Sequence, residues 1–221
     1  MAASEIVRNP SPTNLDGIPA GKVKWNYTTG LELLAMMDAA EVYDRPDFYD
    51  YARRYYDTIV RADHSVITYK KSNYNLDHVC PGRPLFALYD RTGEARYRAV
   101  ADTLFTQLQE QPRNADGGFW HKKIYPGQMW LDGLYMAQPF YAEYIVRYGA
   151  DDPLFATWKQ DIVNQFTAVA DHTFDPATGL YRHACDVSRE MFWCDPATGQ
   201  SAHAWGRAMG WYAMAIVETL Q

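Results

Sequence analysis

Cysteine is scarce, positive charge is in deficit and long apolar runs are missing, and each shortage excludes a class of protein. Only three of the 221 residues are cysteine. Cys80, Cys185 and Cys194 are an odd set whose spacings match neither a zinc site nor a disulfide framework, so they read as free thiols. Lys and Arg number 21 against 27 Asp and Glu, a formal charge of −6. The chain therefore lacks the basic face that phosphate binding needs, and nucleic acid is not expected as a partner. No apolar stretch reaches the roughly 20 residues that span a bilayer, and residues 1–21 hold no apolar segment of a secretory signal, so no membrane partner is expected either. Free thiols fit the cytoplasm, or the periplasm or exterior if a signal peptide has been removed. What remains is a globular composition, 48% hydrophobic and 22% charged, able to bury a core. Aromatic residues are abundant at 15%, many beside Gly, Asp or His. Rings so placed suit sugars, although most aromatic residues are core.

Apolar residues recur at helical spacing over 31–42 and again over 48–60, on either side of the breaker Asp44-Arg45-Pro46-Asp47. The pattern returns as 84–89 with 97–108, then as 134–148 with 154–169. Tyr43-Asp44-Arg45-Pro46, Tyr89-Asp90-Arg91-Thr92 and Tyr148-Gly149-Ala150-Asp151 each separate a first helix from a second. This internal repeat of about 50 residues predicts stacked helical hairpins, as an open solenoid or a closed toroid. A seventh helix is predicted over 205–221. It meets no Gly, Asn or Pro to close it, which reads as a chain cut short. Six hairpins need about 300 residues, so about half a toroid is expected, with apolar edges that would self-associate or pair with a missing C-terminal half. Met36, Met37, Met209 and Met214 read as core filler.

Three stretches between helices are predicted as short β-hairpins, at 114–118, 175–179 and 195–199. The last two share Asp-Pro-Ala-Thr-Gly, in which Pro presets φ and Gly takes the left-handed closing position. Neither has the alternating acidic ligands of a calcium loop. No metal or organic cofactor is implied.

Four segments concentrate aromatic, acidic and basic residues where first helices begin: Trp25-Asn26-Tyr27-Thr28-Thr29-Gly30, Asn75-Leu76-Asp77-His78-Val79-Cys80-Pro81-Gly82, Gln128-Met129-Trp130-Leu131-Asp132-Gly133 and Trp205-Gly206-Arg207-Ala208-Met209-Gly210-Trp211. If alternate helices run the same way inside a toroid, their N-termini meet at one mouth. Such termini favour anionic groups and suit an acidic sugar.

These segments, with Gly179-Leu180-Tyr181-Arg182-His183, resemble the unsaturated rhamnogalacturonyl hydrolases, glycoside hydrolase family 105, over nearly all of residues 25–221. The most specific run is Tyr125-Pro126-Gly127-Gln128-Met129-Trp130-Leu131-Asp132-Gly133-Leu134-Tyr135-Met136. The resemblance implies a single catalytic domain over 1–221 with the six-hairpin (α/α)6 barrel fold, all-α and incomplete here. It also implies release of a 4,5-unsaturated uronic acid from pectin fragments by hydration of the C4=C5 bond. By the motif match Asp132 is the proton donor, a task for a carboxyl that is protonated part of the time near neutral pH. Asp77 matches a second carboxylate that binds substrate and is expected in the same pocket. Arg207 would hold the uronate carboxylate in a bidentate pair, Trp130 and Trp211 would stack on sugar faces, and His121, His183 and Tyr27 match further substrate-binding positions.

Taken singly, each residue has a plainer reading. An Asp before Gly at a helix start is commonly an N-cap, Arg207 could pair with Glu218, and Trp211 could be core. Two rival functions stay open: an inverting glycosidase on saturated sugars that uses Asp77 and Asp132 as acid and base, and a carbohydrate-binding scaffold without chemistry. The isolated chain is expected to be feeble or inactive as an enzyme.

Overall fold

A computed structural model describes residues 1–221. Eight α-helices carry the chain: α1 (Ala2–Arg8), α2 (Tyr27–Val42), α3 (Pro46–Ile59), α4 (Pro84–Thr92), α5 (Ala95–Glu110), α6 (Leu131–Tyr148), α7 (Phe155–Thr173) and α8 (Gly206–Leu220). Four short strands accompany them: β1 (Gln128–Trp130), β2 (Phe174–Asp175), β3 (Leu180–Tyr181) and β4 (Ala184–Asp186). All seven predicted helices are present, and α1 is additional, too short to show a period. α6 begins three residues earlier than predicted, because first-turn positions need no apolar repeat. No helix is long and apolar enough to cross a membrane.

The chain divides into two compact units, Met1–Lys71 with Asp77–Leu104, and Ser72–Leu76 with Phe105–Gln221. In the first, α2 and α3 form a hairpin whose link turns through Asp44 at φ 49° and restarts with Pro46 in the first helical turn. Along α3 the fully buried Tyr51, Tyr55 and Tyr56 point into the core. Their hydroxyls donate to the carbonyls of Asn9, Lys24 and Pro81 at 2.6, 2.6 and 2.8 Å. Burying a phenol is tolerable only with its hydroxyl paired, so much of the aromatic excess is core. Trp25 is core too, its indole N–H donating to the His78 carbonyl at 2.7 Å. Gly30 lets α2 touch the turn before α4: a Cβ there would lie 2.5 Å from the Cα of Pro81.

In the second unit α6 and α7 form a hairpin, and α8 packs along α6. The contacts Asp132 to Arg207 and Tyr135 to Trp211 advance together along both helices, so α6 and α8 run parallel with adjoining N-termini. All three predicted turns are closed by antiparallel pairing, β2 with β3 around 175–179 and single bridges at Arg113–Phe119 and Cys194–Ser201. Asp175 accepts from the Ala177 amide at 3.0 Å and the Thr178 hydroxyl at 2.8 Å. Asp195 accepts from the amides of Ala197 and Thr198, both at 2.8 Å. Both carboxylates cap their own loops, which is turn chemistry, and Asp175 also pairs with Arg182 beyond its loop. The pairing of β1 with β4, which sets Gln128 opposite Asp186 and Trp130 opposite Ala184, has no signature in strands this short. Met36 and Met37 are buried as expected, whereas Met209 is half-buried and Met214 is 38% exposed. Ile145, Val163, Phe166, Ile216 and Leu220 line an apolar groove of about 480 Å³.

Candidate active site

The second unit gathers five of the expected site residues around the start of α6. Trp130 ends β1 and fills the N-cap position with extended backbone, which places Asp132 in the first helical turn. The plain capping role for Asp132 is therefore not the one adopted. Its carboxyl is buried with a side-chain exposure of 10%, and Oδ2 accepts no hydrogen bond. His183 Nδ1 lies 3.3 Å from Oδ2, within ion-pair range but outside hydrogen-bond geometry. Arg207 Nη2 lies 3.4 Å from Oδ1, and half of the Arg207 side chain remains exposed. Glu218, the alternative partner for Arg207, instead accepts from the Tyr135 hydroxyl at 3.1 Å.

Backbone bonds fix the positions of these groups. His183 follows β3 and precedes β4, its amide donating to the His203 carbonyl at 3.2 Å and its carbonyl accepting from the Leu131 amide at 3.1 Å. That second bond ties His183 to the first residue of α6. His121 is buried, its amide bonded to the Gln128 carbonyl at 2.8 Å and its carbonyl to the Leu76 amide at 3.1 Å. The imidazole stacks on Trp130 with centroids 4.4 Å apart and planes 9° from parallel. Gly133 makes room for that ring, since a Cβ there would sit 2.9 Å from His121 Nδ1. Trp211 packs against Tyr135 at 4.8 Å.

Asp77 and Tyr27 belong to the first unit. Asp77 is half-buried in a single turn of 3-10 helix, Leu76–His78, and Tyr27 is the half-buried first residue of α2.

Several residues at this site were not among those expected from the sequence. Tyr125 lies parallel to Trp130 at 5.6 Å. Trp205 stands edge-on to His183 at 5.7 Å and carries the Arg207 guanidinium 4.0 Å above its ring. Each is the first residue of a motif that also holds Asp132 or Arg207, so position within the motif was the available signal. Trp193 and His203 line the adjoining cleft of about 630 Å³, together with Trp130, His183, Ser201 and Trp205. They sit in loops with no periodicity to mark them. Asp186, fully buried at the end of β4, accepts from the Ser188 hydroxyl at 2.8 Å and from the amides of Glu190 and Met191 at 3.0 and 3.1 Å. Burial acts to raise its carboxyl, and these hydrogen bonds outweigh burial and hold it below the ordinary carboxylate range.

The chain has counterparts among known proteins. A model of the family described as Glycosyl Hydrolase Family 88 matches residues 1–221. A family 105 glycoside hydrolase from C. acetobutylicum ATCC 824 superposes with a TM-score of 0.88 at 36% identity, over 99% of this chain and 57% of that one. A possible family 105 member from Salmonella enterica gives a TM-score of 0.75 at 19% identity, again over 99% and 57%, a likeness of fold alone. The unsaturated rhamnogalacturonyl hydrolase YesR of Bacillus subtilis is 25% identical over 202 residues, 89% of this chain and 53% of that protein. The chain thus spans about half the length of these relatives, and its fold is part of their (α/α)6 toroid. It belongs to the family 88 and 105 glycoside hydrolases.

Proposed function

We propose that this chain carries the catalytic acid of a hydrolase that removes a 4,5-unsaturated uronic acid from the non-reducing end of pectin or rhamnogalacturonan fragments. The observation that supports this most is the state of Asp132: buried, beside a His and an Arg, with one carboxyl oxygen accepting no hydrogen bond. A capping or structural carboxylate would have its lone pairs filled. A carboxyl that must hand over a proton needs an open oxygen facing the reacting atom.

Asp132 gives its proton to C4 of the unsaturated ring, and the positive charge that develops at C5 is shared with the ring oxygen. Water then adds at C5 and returns a proton to the Asp132 carboxylate. The resulting hemiketal opens, its oxygen becoming the C5 carbonyl, and the ring oxygen left on C1 expels the leaving sugar. Arg207, free on its outer side, binds the uronate carboxylate, which keeps the ring in register with Asp132. His183 orients the Asp132 carboxyl, and Trp130, backed by His121, offers a flat face to the sugar. Asp77, Tyr27 and Trp211 are assigned to substrate binding from their motifs.

Turnover by these 221 residues alone is expected to be feeble, so the test uses enzyme in excess of substrate. Unsaturated uronyl disaccharides should lose their C4=C5 absorbance slowly, while saturated aryl glycosides remain intact. Release of the aryl group from a saturated glycoside, with the unsaturated disaccharide untouched, would replace this reading with that of an ordinary inverting glycosidase.

A further inference from the structure

A second groove lies in the same unit, between the C-terminal end of α5 and the hairpin of α6 and α7. Its volume of about 640 Å³ matches that of the cleft beside Asp132, and the two share no lining residue. The proposed reaction gives it no task. Its floor is a connected set of hydrogen bonds. Gln109 Nε2 donates to the Tyr141 hydroxyl at 3.1 Å, which donates to Asp161 Oδ2 at 3.2 Å. Arg113 grips the same carboxylate with two nitrogens, at 2.5 and 2.8 Å. Arg113 and Asp161 are the only charged residues of the lining, and they neutralise each other. An indole stands in the wall. Trp158 is half-buried and set T-shaped against Phe105 with centroids 5.1 Å apart. Gly149 leaves room for it, since a Cβ there would lie 2.8 Å from Trp158 Cζ3. The ring is thereby fixed before any ligand arrives. Neutral hydrogen-bonding groups around it are unengaged. The Gln109 carbonyl accepts nothing within the protein, and Gln160 donates to the Asn164 carbonyl at 3.0 Å, which leaves the Gln160 carbonyl and the Asn164 N–H groups open.

We propose that this groove is a second carbohydrate site, separate from the Asp132 cleft, and that it takes an uncharged saccharide. A pyranose presents a face of C–H bonds that packs on an indole, and each hydroxyl at its rim both donates and accepts. Amide carbonyls and amide N–H groups beside a fixed indole meet both demands. A uronate fits poorly, because the fork of Arg113 already holds Asp161 and an incoming carboxylate finds no unpaired cation. Held at two places on one protein, a long oligosaccharide gains effective concentration at its reacting end, whereas a disaccharide gains nothing. Trp158 is therefore a binding residue with no part in the chemistry. Its role does not depend on which bond the Asp132 cleft breaks.

The test is calorimetric titration of the 221-residue chain with three neutral trisaccharides, cellotriose, mannotriose and galactotriose. At least one should bind, and an excess of about tenfold of trigalacturonate, the charged competitor, should not displace it. Trp158→Ala should weaken the binding about tenfold and Trp158→Phe about threefold. Asn164 is exposed, so Asn164→Ala keeps the fold and should weaken binding about threefold. Trp205→Ala alters the other cleft and should leave this binding intact. Trp158→Ala should also leave the single-turnover loss of C4=C5 absorbance from an unsaturated disaccharide unchanged. The second site is overturned if no neutral trisaccharide binds, if trigalacturonate displaces the one that does, or if folded Trp158→Ala keeps full affinity or turns over more slowly. Binding abolished by Trp205→Ala overturns it too, by assigning the sugar to the Asp132 cleft. If Trp158→Ala fails to fold, unchanged affinity in both Trp158→Phe and Asn164→Ala is the contrary result. This binding pattern without any turnover leaves the second site standing and counts against the proposed reaction alone.

Discussion

Asp132 and Arg207 occupy matching positions, each near the N-terminus of its helix, and their nearest atoms are 3.4 Å apart. Arg207 touches one carboxyl oxygen of Asp132 with one nitrogen, so the rest of its fork stays available for a substrate carboxylate. Arg207→Lys keeps the charge and loses the fork. It is expected to raise KM about tenfold or more with a smaller fall in kcat, measured on the unsaturated disaccharide. The cysteines lie outside this chemistry. Burial pushes the Cys185 thiol up to about 11, and Cys80 is also buried, whereas Cys194 is half-buried. Titration with a thiol reagent should therefore find one reactive group in the native protein and three after denaturation. Two fast thiols in the native state would show that the segment around Cys80 or that around Cys185 opens readily. At this scale the motif made Asp132, His183 and Arg207 legible in the sequence, because each sits where the chain changes from loop to regular structure and is flanked by residues too unusual in combination to be filler. Trp193 was not legible, since a lone indole in a turn-rich loop has no period and no partner nearby in sequence.

Helices and turns were readable wherever chemistry was local. The breakers that separate α2 from α3 and α6 from α7 are Pro, Gly and Asp doing what their backbone preferences dictate. The Asp-Pro-Ala-Thr-Gly turns folded as their residues require. The β1–β4 pair was invisible because its two strands are only three residues each and lie far apart in the sequence. Asp186→Ala would leave several donors unpaired in a site with no solvent exposure and should lower stability by about 2–4 kcal/mol, read from chemical denaturation. With its folded pKa depressed, Asp186 contributes its full stabilisation above the ordinary carboxylate value near 4 and loses it as pH falls through the lower folded value. The melting difference between the unaltered chain and Asp186→Asn should thus be widest near neutrality and shrink below about pH 4. A difference that grows on acidification would show that the carboxylate is not the anchor. Gly30→Ala tests packing in the first unit. The new Cβ meets the backbone of Pro81, and a loss of about 3 kcal/mol is expected. A neutral outcome would mean that α2 and the turn before α4 can separate.

For the whole molecule, the repeat of about 50 residues was enough to name stacked hairpins, and family membership places those hairpins within the (α/α)6 fold. The aromatic residues, read from the sequence as mostly core with some suited to sugars, include in the structure a buried set of tyrosines along α3 with paired hydroxyls and a set of rings beside Asp132. Composition could not make that division, because it counts rings without placing them. Everything assigned to the reaction depends on the Asp132 carboxyl being the source of the proton that reaches C4. The most direct test is the single-turnover rate of double-bond loss for the unaltered chain and for Asp132→Asn, which preserves shape and removes the acid. If Asp132 is the acid, the rate falls at least about a hundredfold with substrate affinity little changed. An unchanged rate in the Asn protein would contradict that role.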